Sequence, residues 1–178
     1  MAGDCEGAMS IQIIQGDIMT ACVDAVVNAA NPTMLGGGGV DGAIHRAAGP
    51  ELLEECRQVP DIDGVRCPFG EARITTAGKL AAKYVIHTAG PIYAQSPVPE
   101  DILAASYRNV LRLALESGCK SIALPAISCG VYGYPIHEAA EIAISVCSEE
   151  EFTHLKKTFY LFSEEMVGAW QQALYRRE

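Results

Sequence analysis

The sequence is short of several features that would assign it to a large class. It carries 13 Lys+Arg against 22 Asp+Glu, a formal net charge of -9 at pH 7. That deficit excludes a broad nucleic-acid surface, which needs a basic face. No apolar run reaches the ~18 residues of a membrane-spanning helix. The first residues, MAGDCEGAMS, lack the basic and apolar regions of a signal peptide. The seven cysteines (Cys5, Cys22, Cys56, Cys67, Cys119, Cys129 and Cys147) never fall at C-x-x-C spacing, and no paired histidines accompany them. Scattered and odd in number, they predict free thiols in a reducing, cytoplasmic compartment and no zinc site. No metal and no cofactor are expected.

What is present is ordinary globular material. The 178 residues are 49% apolar and 20% charged, enough for one domain with a real core. Residues 1–10 read as a flexible N-terminal extension and 11–178 as a single domain. Strand and helix patterns alternate. Strands are expected at Ile11–Gln15, Asp24–Asn28, Ala72–Ala77, Tyr84–Thr88, Ser121–Ile127 and Lys157–Phe162. Helices are expected at Asp41–Ala48, Pro50–Val59, Pro99–Ser117, Pro135–Cys147 and Glu164–Tyr175. Strands separated by helices imply an α/β fold with a mostly parallel sheet covered on both faces. A short turn at Gly78 joins two neighbouring strands, so one pair should be antiparallel. No exposed apolar helix stripe stands out, and a monomer is expected.

In such sheets ligands bind beyond the carboxyl ends of the strands. Three loops there are chemically loaded: Gly16-Asp17-Ile18, Ala30 to Asp41, and Ser128 to Pro135. Within the second, Gly37-Gly38-Gly39-Val40-Asp41-Gly42 matches G-x-G-x-x-G in form. It is not a dinucleotide fingerprint. It does not follow its strand directly, since Asn31 to Leu35 intervene, and the acidic residues some 20 positions on (Asp61, Asp63) lie in a turn. The glycines have a simpler use. Successive amides can form a concave nest for an oxyanion, aided by the positive end of the helix that follows. Ser128-Cys129-Gly130-Val131-Tyr132-Gly133-Tyr134-Pro135 is a second nest candidate, again running from a strand end into a helix. Two nests suit a pyrophosphate, and Tyr132 is placed to lie against a sugar or base.

GDI (Gly16–Ile18), NAAN (Asn28–Asn31), GGGGVDGAIHRAAG (Gly36–Gly49) and GVYGYP (Gly130–Pro135) together resemble the macrodomains, specifically the MacroD-type branch. CPFGEARITTAGKLAAKYVIHTAGP (Cys67–Pro91) is similar to that family's middle strands. The resemblance runs from about Ile11 to the last helix. It implies a three-layer αβα sandwich with a mixed sheet of about six strands, binding of ADP-ribose, and hydrolysis of O-acetyl-ADP-ribose or of mono-ADP-ribose on acidic side chains. By the same resemblance, Asp17 takes the adenine amino group and the Ile18 amide reaches the ring. Asn28 belongs to the ligand-binding set and Asn31 contacts the distal ribose. Gly37, Gly38, Gly39 and Val40 enclose the pyrophosphate with Ser128, Cys129, Gly130, Val131 and Tyr132. Phe162 packs on adenine. Two residues depart from the pattern: Cys129 stands where threonine is frequent, and Phe69 where a small polar residue is.

Ester cleavage at a ribose needs an activated water, a stabilised oxyanion and an oriented sugar. Asp41 is the one carboxylate in the glycine loop, and is expected to act as base or water-positioner, with Asn31 orienting the sugar. The simpler reading of Asp41 is a helix cap, and of Asn31, before Pro32, a turn initiator. His45, four residues after Asp41, suggests an Asp–His dyad, but a histidine bonded inside the fold is the preferred expectation. His87 is expected in the core or just behind the site. Two rivals are weighed: a module that binds ADP-ribose without turnover, and a serine hydrolase at Ser128, for which no later acid and histidine are suitably placed.

Overall fold

The computed structural model describes residues 10–177. The expected extension at 1–10 lies outside them except for Ser10. Six strands form one sheet: β1 (Ile11–Gln15), β2 (Ala25–Ala29), β3 (Ala72–Thr76), β4 (Tyr84–Thr88), β5 (Ser121–Leu124) and β6 (Lys156–Leu161), in the order β1-β6-β5-β2-β4-β3. All neighbours are parallel except β3 and β4, which run antiparallel, with Arg73 opposite His87. The helices are α1 (Gly39–Ala48), α2 (Pro50–Gln58), α3 (Pro99–Glu116), α4 (Ile136–Cys147) and α5 (Glu164–Tyr175). Every expected element is present, three with the expected ends and the others with ends shifted by at most three residues. Two 3-10 turns, Ile18–Thr20 and Glu150–Phe152, were not anticipated.

Local rules explain the helix limits. Helix α3 opens with Pro99, whose missing N–H costs nothing at that position, and Glu100 and Asp101 suit its positive end. It buries Leu103, Tyr107, Val110, Leu111 and Ala114 at three- and four-residue spacing. It ends in a Schellman arrangement: Cys119 N–H bonds the Ala114 carbonyl at 2.9 Å and Gly118 N–H bonds Leu115 at 3.1 Å, with Gly118 at φ +77. Helix α5 is capped by Ser163, whose hydroxyl accepts from Met166 N–H at 3.2 Å.

The two faces of the sheet are packed differently. Helices α3, α4 and α5 cover one face with the larger apolar cluster, in which Trp170 packs on Phe159 at 5.9 Å between ring centres. On the other face α1 and α2 enclose a smaller cluster around Val26, Ile44, Leu52, Cys56, Val85 and Ala123. Tyr107 ties the large cluster to the site: its hydroxyl donates to Pro125 O and accepts from Ile127 N–H, both at 3.0 Å. The segment leading from β5 into the Ser128 loop is thereby fixed from beneath.

Candidate active site

The loops after β2 and β5 converge on one cleft at the carboxyl edge of the sheet. Its volume is about 330 Å³, and Phe162 and Met166 also line it. Its wall contains Asn31, Gly37, Gly38, Gly39, Val40 and Asp41 from the first loop, and Ser128, Gly130, Val131 and Tyr132 from the second.

The glycine loop is held by a side chain. Asn31 Nδ2 donates to the Gly36 carbonyl at 3.1 Å. Its Oδ1 accepts from Thr33 Oγ1 at 2.6 Å and from the amides of Thr33 at 3.1 Å and Met34 at 3.3 Å. Asn31 therefore does build the turn, as the simpler reading of its sequence position held, and still has one N–H beyond these bonds. Gly36 and Gly39 adopt φ +96 and φ +56, where side chains are strained. Gly42 answers a close approach instead: a Cβ there would stand 2.5 Å from the Gly37 carbonyl oxygen, so only glycine lets the loop fold onto the first turn of α1. Among the described residues, no protein acceptor takes the amides of Gly36 to Asp41.

The second loop is held by its main chain. Tyr134 N–H bonds Ser128 O at 2.8 Å, Gly133 N–H bonds Gly130 O at 3.0 Å, and Tyr93 N–H bonds Tyr132 O at 2.9 Å. Among the described residues the amides of Gly130, Val131 and Tyr132 have no protein acceptor. Both nests thus present unpaired donors. Burial and then the charge on Asp41 raise the pKa of the half-buried Tyr132 phenol, which places it in the field of that carboxylate from across the cleft.

Asp41 is only 4% exposed. Its Oδ1 accepts from Asn28 Nδ2 at 2.8 Å and lies 3.4 Å from His45 Nε2. Its Oδ2 has no partner and lies 3.0 Å from where a Cβ on Gly37 would be. One oxygen is anchored and the other is buried and unpaired beside Gly37, a residue of the cleft wall. Behind it, Asn28 Nδ2 also meets His87 Nδ1 at 3.1 Å, and His87 Nε2 meets Thr75 Oγ1 at 3.0 Å. Burial drives the His87 pKa down to about 3, with the neighbouring His45 adding to the fall, so the ring is neutral. The Cys56 thiol, 3.8 Å from His87 Nε2, is pushed up to about 11, first by burial and then by Asp41.

Several expectations change. Asn28 is fully buried and bonded to Asp41 and His87, so it stands behind the carboxylate and not on the cleft wall. Cys129 is not on the wall either. Its amide bonds Ala126 O at 3.3 Å, its side chain packs on the large apolar cluster, and burial pushes its thiol up to about 12. The cause is the backbone: Ser128 sits at φ +67, which turns the next residue inward. His45 is not simply a core histidine; it stands beside Asp41 and lines a shallower hollow on the other side of the glycine loop. Asp17 and Ile18 also lie outside the cleft wall, with Asp17 Oδ1 capping the 3-10 turn through Met19 N–H at 2.9 Å. They remain next to Phe162, because Gly16 N–H bonds Leu161 O at 3.0 Å and Gln15 Nε2 bonds Phe162 O at 3.3 Å. Phe162 is 64% exposed at that edge. Phe69 is exposed and outside the wall. Ser128 Oγ is buried without a partner, so no histidine activates it.

Sequence reasoning missed Gly90, Ile127 and Met166, all on the wall. Gly90 had a signal, since it follows the end of β4. Its Cα faces the Ser128 side chain so closely that a Cβ would come within 2.3 Å of Ser128 Oγ. Among the described residues no group of three or more His, Cys, Asp or Glu could hold a metal ion. Among the same residues no helix is long and apolar enough to cross a membrane.

Known proteins share this fold. A macrodomain of Oceanobacillus iheyensis solved with ADP superposes with a TM-score of 0.88 at 44% identity, covering 94% of this chain and 90% of that one. A Trypanosoma brucei macrodomain in complex with ADP-ribose gives 0.82 at 38% identity, covering 94% of this chain and 71% of that one. An O-acetyl-ADP-ribose deacetylase of Citrobacter rodentium is 60% identical over 168 residues, covering 92% of this chain and 94% of the relative. A macro domain-containing protein of Vibrio parahaemolyticus is 62% identical over 165 residues, covering 93% and 97%. The family model for the Macro domain matches residues 27–143, and the chain belongs to that family.

Proposed function

We propose that residues 11–178 act as one macro domain that binds ADP-ribose and hydrolyses its esters: O-acetyl-ADP-ribose, and mono-ADP-ribose carried on Asp or Glu side chains. The observation that carries the catalytic part is the state of Asp41. Its Oδ1 is anchored and its buried Oδ2 is unpaired beside Gly37 of the cleft wall. A carboxylate held this way can orient a water and accept its proton. The water oxygen bonds to the ester carbonyl carbon, and the resulting oxyanion is met by unpaired amides of the glycine loop. Collapse breaks the bond to the ribose oxygen, which takes a proton as it leaves. The remaining N–H of Asn31 orients a hydroxyl of the distal ribose. The amides of Gly37–Val40 and Gly130–Tyr132 would grip the diphosphate, while Asp17, the Ile18 amide and Phe162 would receive the adenine at the β1–β6 edge. Relatives from Citrobacter rodentium, Enterobacter cloacae and Klebsiella pneumoniae, at 60%, 51% and 50% identity, are named O-acetyl-ADP-ribose deacetylases, which supports a hydrolase.

The test is turnover of O-acetyl-ADP-ribose and of glutamate-linked mono-ADP-ribose by wild type and Asp41→Asn, beside calorimetry with ADP-ribose. Wild type should release product. The variant should lose activity by roughly 10²–10³-fold while keeping its affinity within about threefold, the size of effect seen when one transition-state contact is removed. Binding without release by wild type would make the domain a reader of ADP-ribose.

A further inference from the structure

We infer that His87, with Thr75 behind it, is a positioning residue that fixes the side-chain amide of Asn28 and through it the orientation of the Asp41 carboxylate. The inference rests on the reading of Asp41 given above. The four side chains come from separate places: Asn28 on β2, His87 opposite it on β4, Thr75 on β3 and Asp41 on α1. All four are buried.

The polarity of the chain is determined from both ends. Asp41 Oδ1 only accepts, so the Asn28 group 2.8 Å away must be its NH2. The second proton of that NH2 points to His87 Nδ1 at 3.1 Å, which must then be the unprotonated ring nitrogen. The ring proton is therefore on Nε2, where Thr75 Oγ1 accepts it at 3.0 Å. Thr75 is left free to donate its own proton to the Thr76 carbonyl, also at 3.0 Å. Every donor meets an acceptor, the Nε2 proton having Thr75 Oγ1 nearest with the Cys56 sulfur farther off at 3.8 Å, and reversing any member of the line puts two donors or two acceptors face to face. Burial holds the imidazole neutral, as the arrangement requires.

The consequence reaches the reacting atoms indirectly. Asn28 Oδ1 has no partner, so nothing on that side resists rotation of the amide. Without the acceptor at Nδ1, the Asn28 amide is anchored by Asp41 alone, and the carboxylate and amide can turn together. Misplacing a water by a fraction of an ångström is enough to slow its attack.

The experiment compares His87→Leu, His87→Asn and Thr75→Val with wild type and Asp41→Asn. His87→Leu should lower kcat by about ten- to a hundredfold with KM and ADP-ribose affinity within about threefold. His87→Asn, which restores an acceptor near Nδ1, should recover part of the loss. Nitrogen-15 NMR of wild type should show His87 Nδ1 unprotonated and Nε2 protonated from pH 5 to 9, a signature independent of any variant's folding. Wild-type kcat in a folded His87→Leu or Thr75→Val protein, or a ring proton on Nδ1, overturns the positioning role alone. Full turnover by Asp41→Asn overturns the reading of Asp41 and this inference with it.

Discussion

The two loops that wall the cleft offer the same chemistry, unpaired main-chain amides, but are braced by opposite means. From Asn31 to Asp41 side chains carry most of the brace: Asn31 makes four hydrogen bonds within its own turn, Thr33 Oγ1 accepts from Leu35 N–H and Arg66 Nη1 donates to Thr33 O, while the amides of Arg66 and Cys67 hold Pro32 O. From Ser128 to Tyr134 the brace is the backbone, bonding to itself and to Tyr93. A loop closed by its main chain tolerates side-chain change; one closed largely by side chains does not. The Asp41 carboxylate sits at the end of the second kind, where small shifts in the turn reach it directly.

That contrast can be broken by substitution. The largest effect is expected for Gly42→Ala, because the new Cβ meets the Gly37 backbone oxygen at 2.5 Å and cannot be relieved by rotating a side chain. Overpacking of this kind costs about 1–3 kcal/mol, so calorimetry should show ADP-ribose binding weakened by ten- to a hundredfold. Asn31→Ala should follow, since the bonds it deletes leave the turn without much of its brace; a loss of about 1–2 kcal/mol in affinity, with a lower kcat, would agree. The smallest effect belongs to the other loop. Cys129→Ala should leave affinity and kcat within about twofold, because the thiol faces the core and its amide is already engaged. With that thiol pushed up to about 12, alkylation at pH 8 should label the exposed Cys22 and spare Cys129. Rapid labelling of Cys129, or a strong effect of its removal, would show that the second loop also depends on a side chain.

Much of the site was readable in the sequence because glycine content, strand ends and helix starts are local properties. Gly36 to Asp41 declared a nest between β2 and α1, and Gly130 to Tyr132 declared another. What escaped was direction. In AVVNA four of the five residues are buried, so no alternation of polar and apolar positions shows which face Asn28 takes. Cys129 was misplaced because the positive φ at Ser128 is not a property that serine announces. The line from Thr75 through His87 and Asn28 to Asp41 joins residues up to 59 positions apart, and only the register of three strands brings them together. Within α1 the four-residue spacing of Asp41 and His45 was visible, but the choice between an inward bond and a shared site was not.

Among the described residues no Lys or Arg lines the cleft, and this has a consequence for ionic strength. Proteins that hold phosphates with cationic side chains loosen as counter-ions compete for those charges. On the binding mode proposed above, the attraction is made of fixed dipoles at contact range, while at long range a chain of net charge -9 repels a diphosphate. Added salt screens the repulsion and barely touches the dipoles, so affinity for ADP-ribose should hold or rise between dilute and physiological buffer.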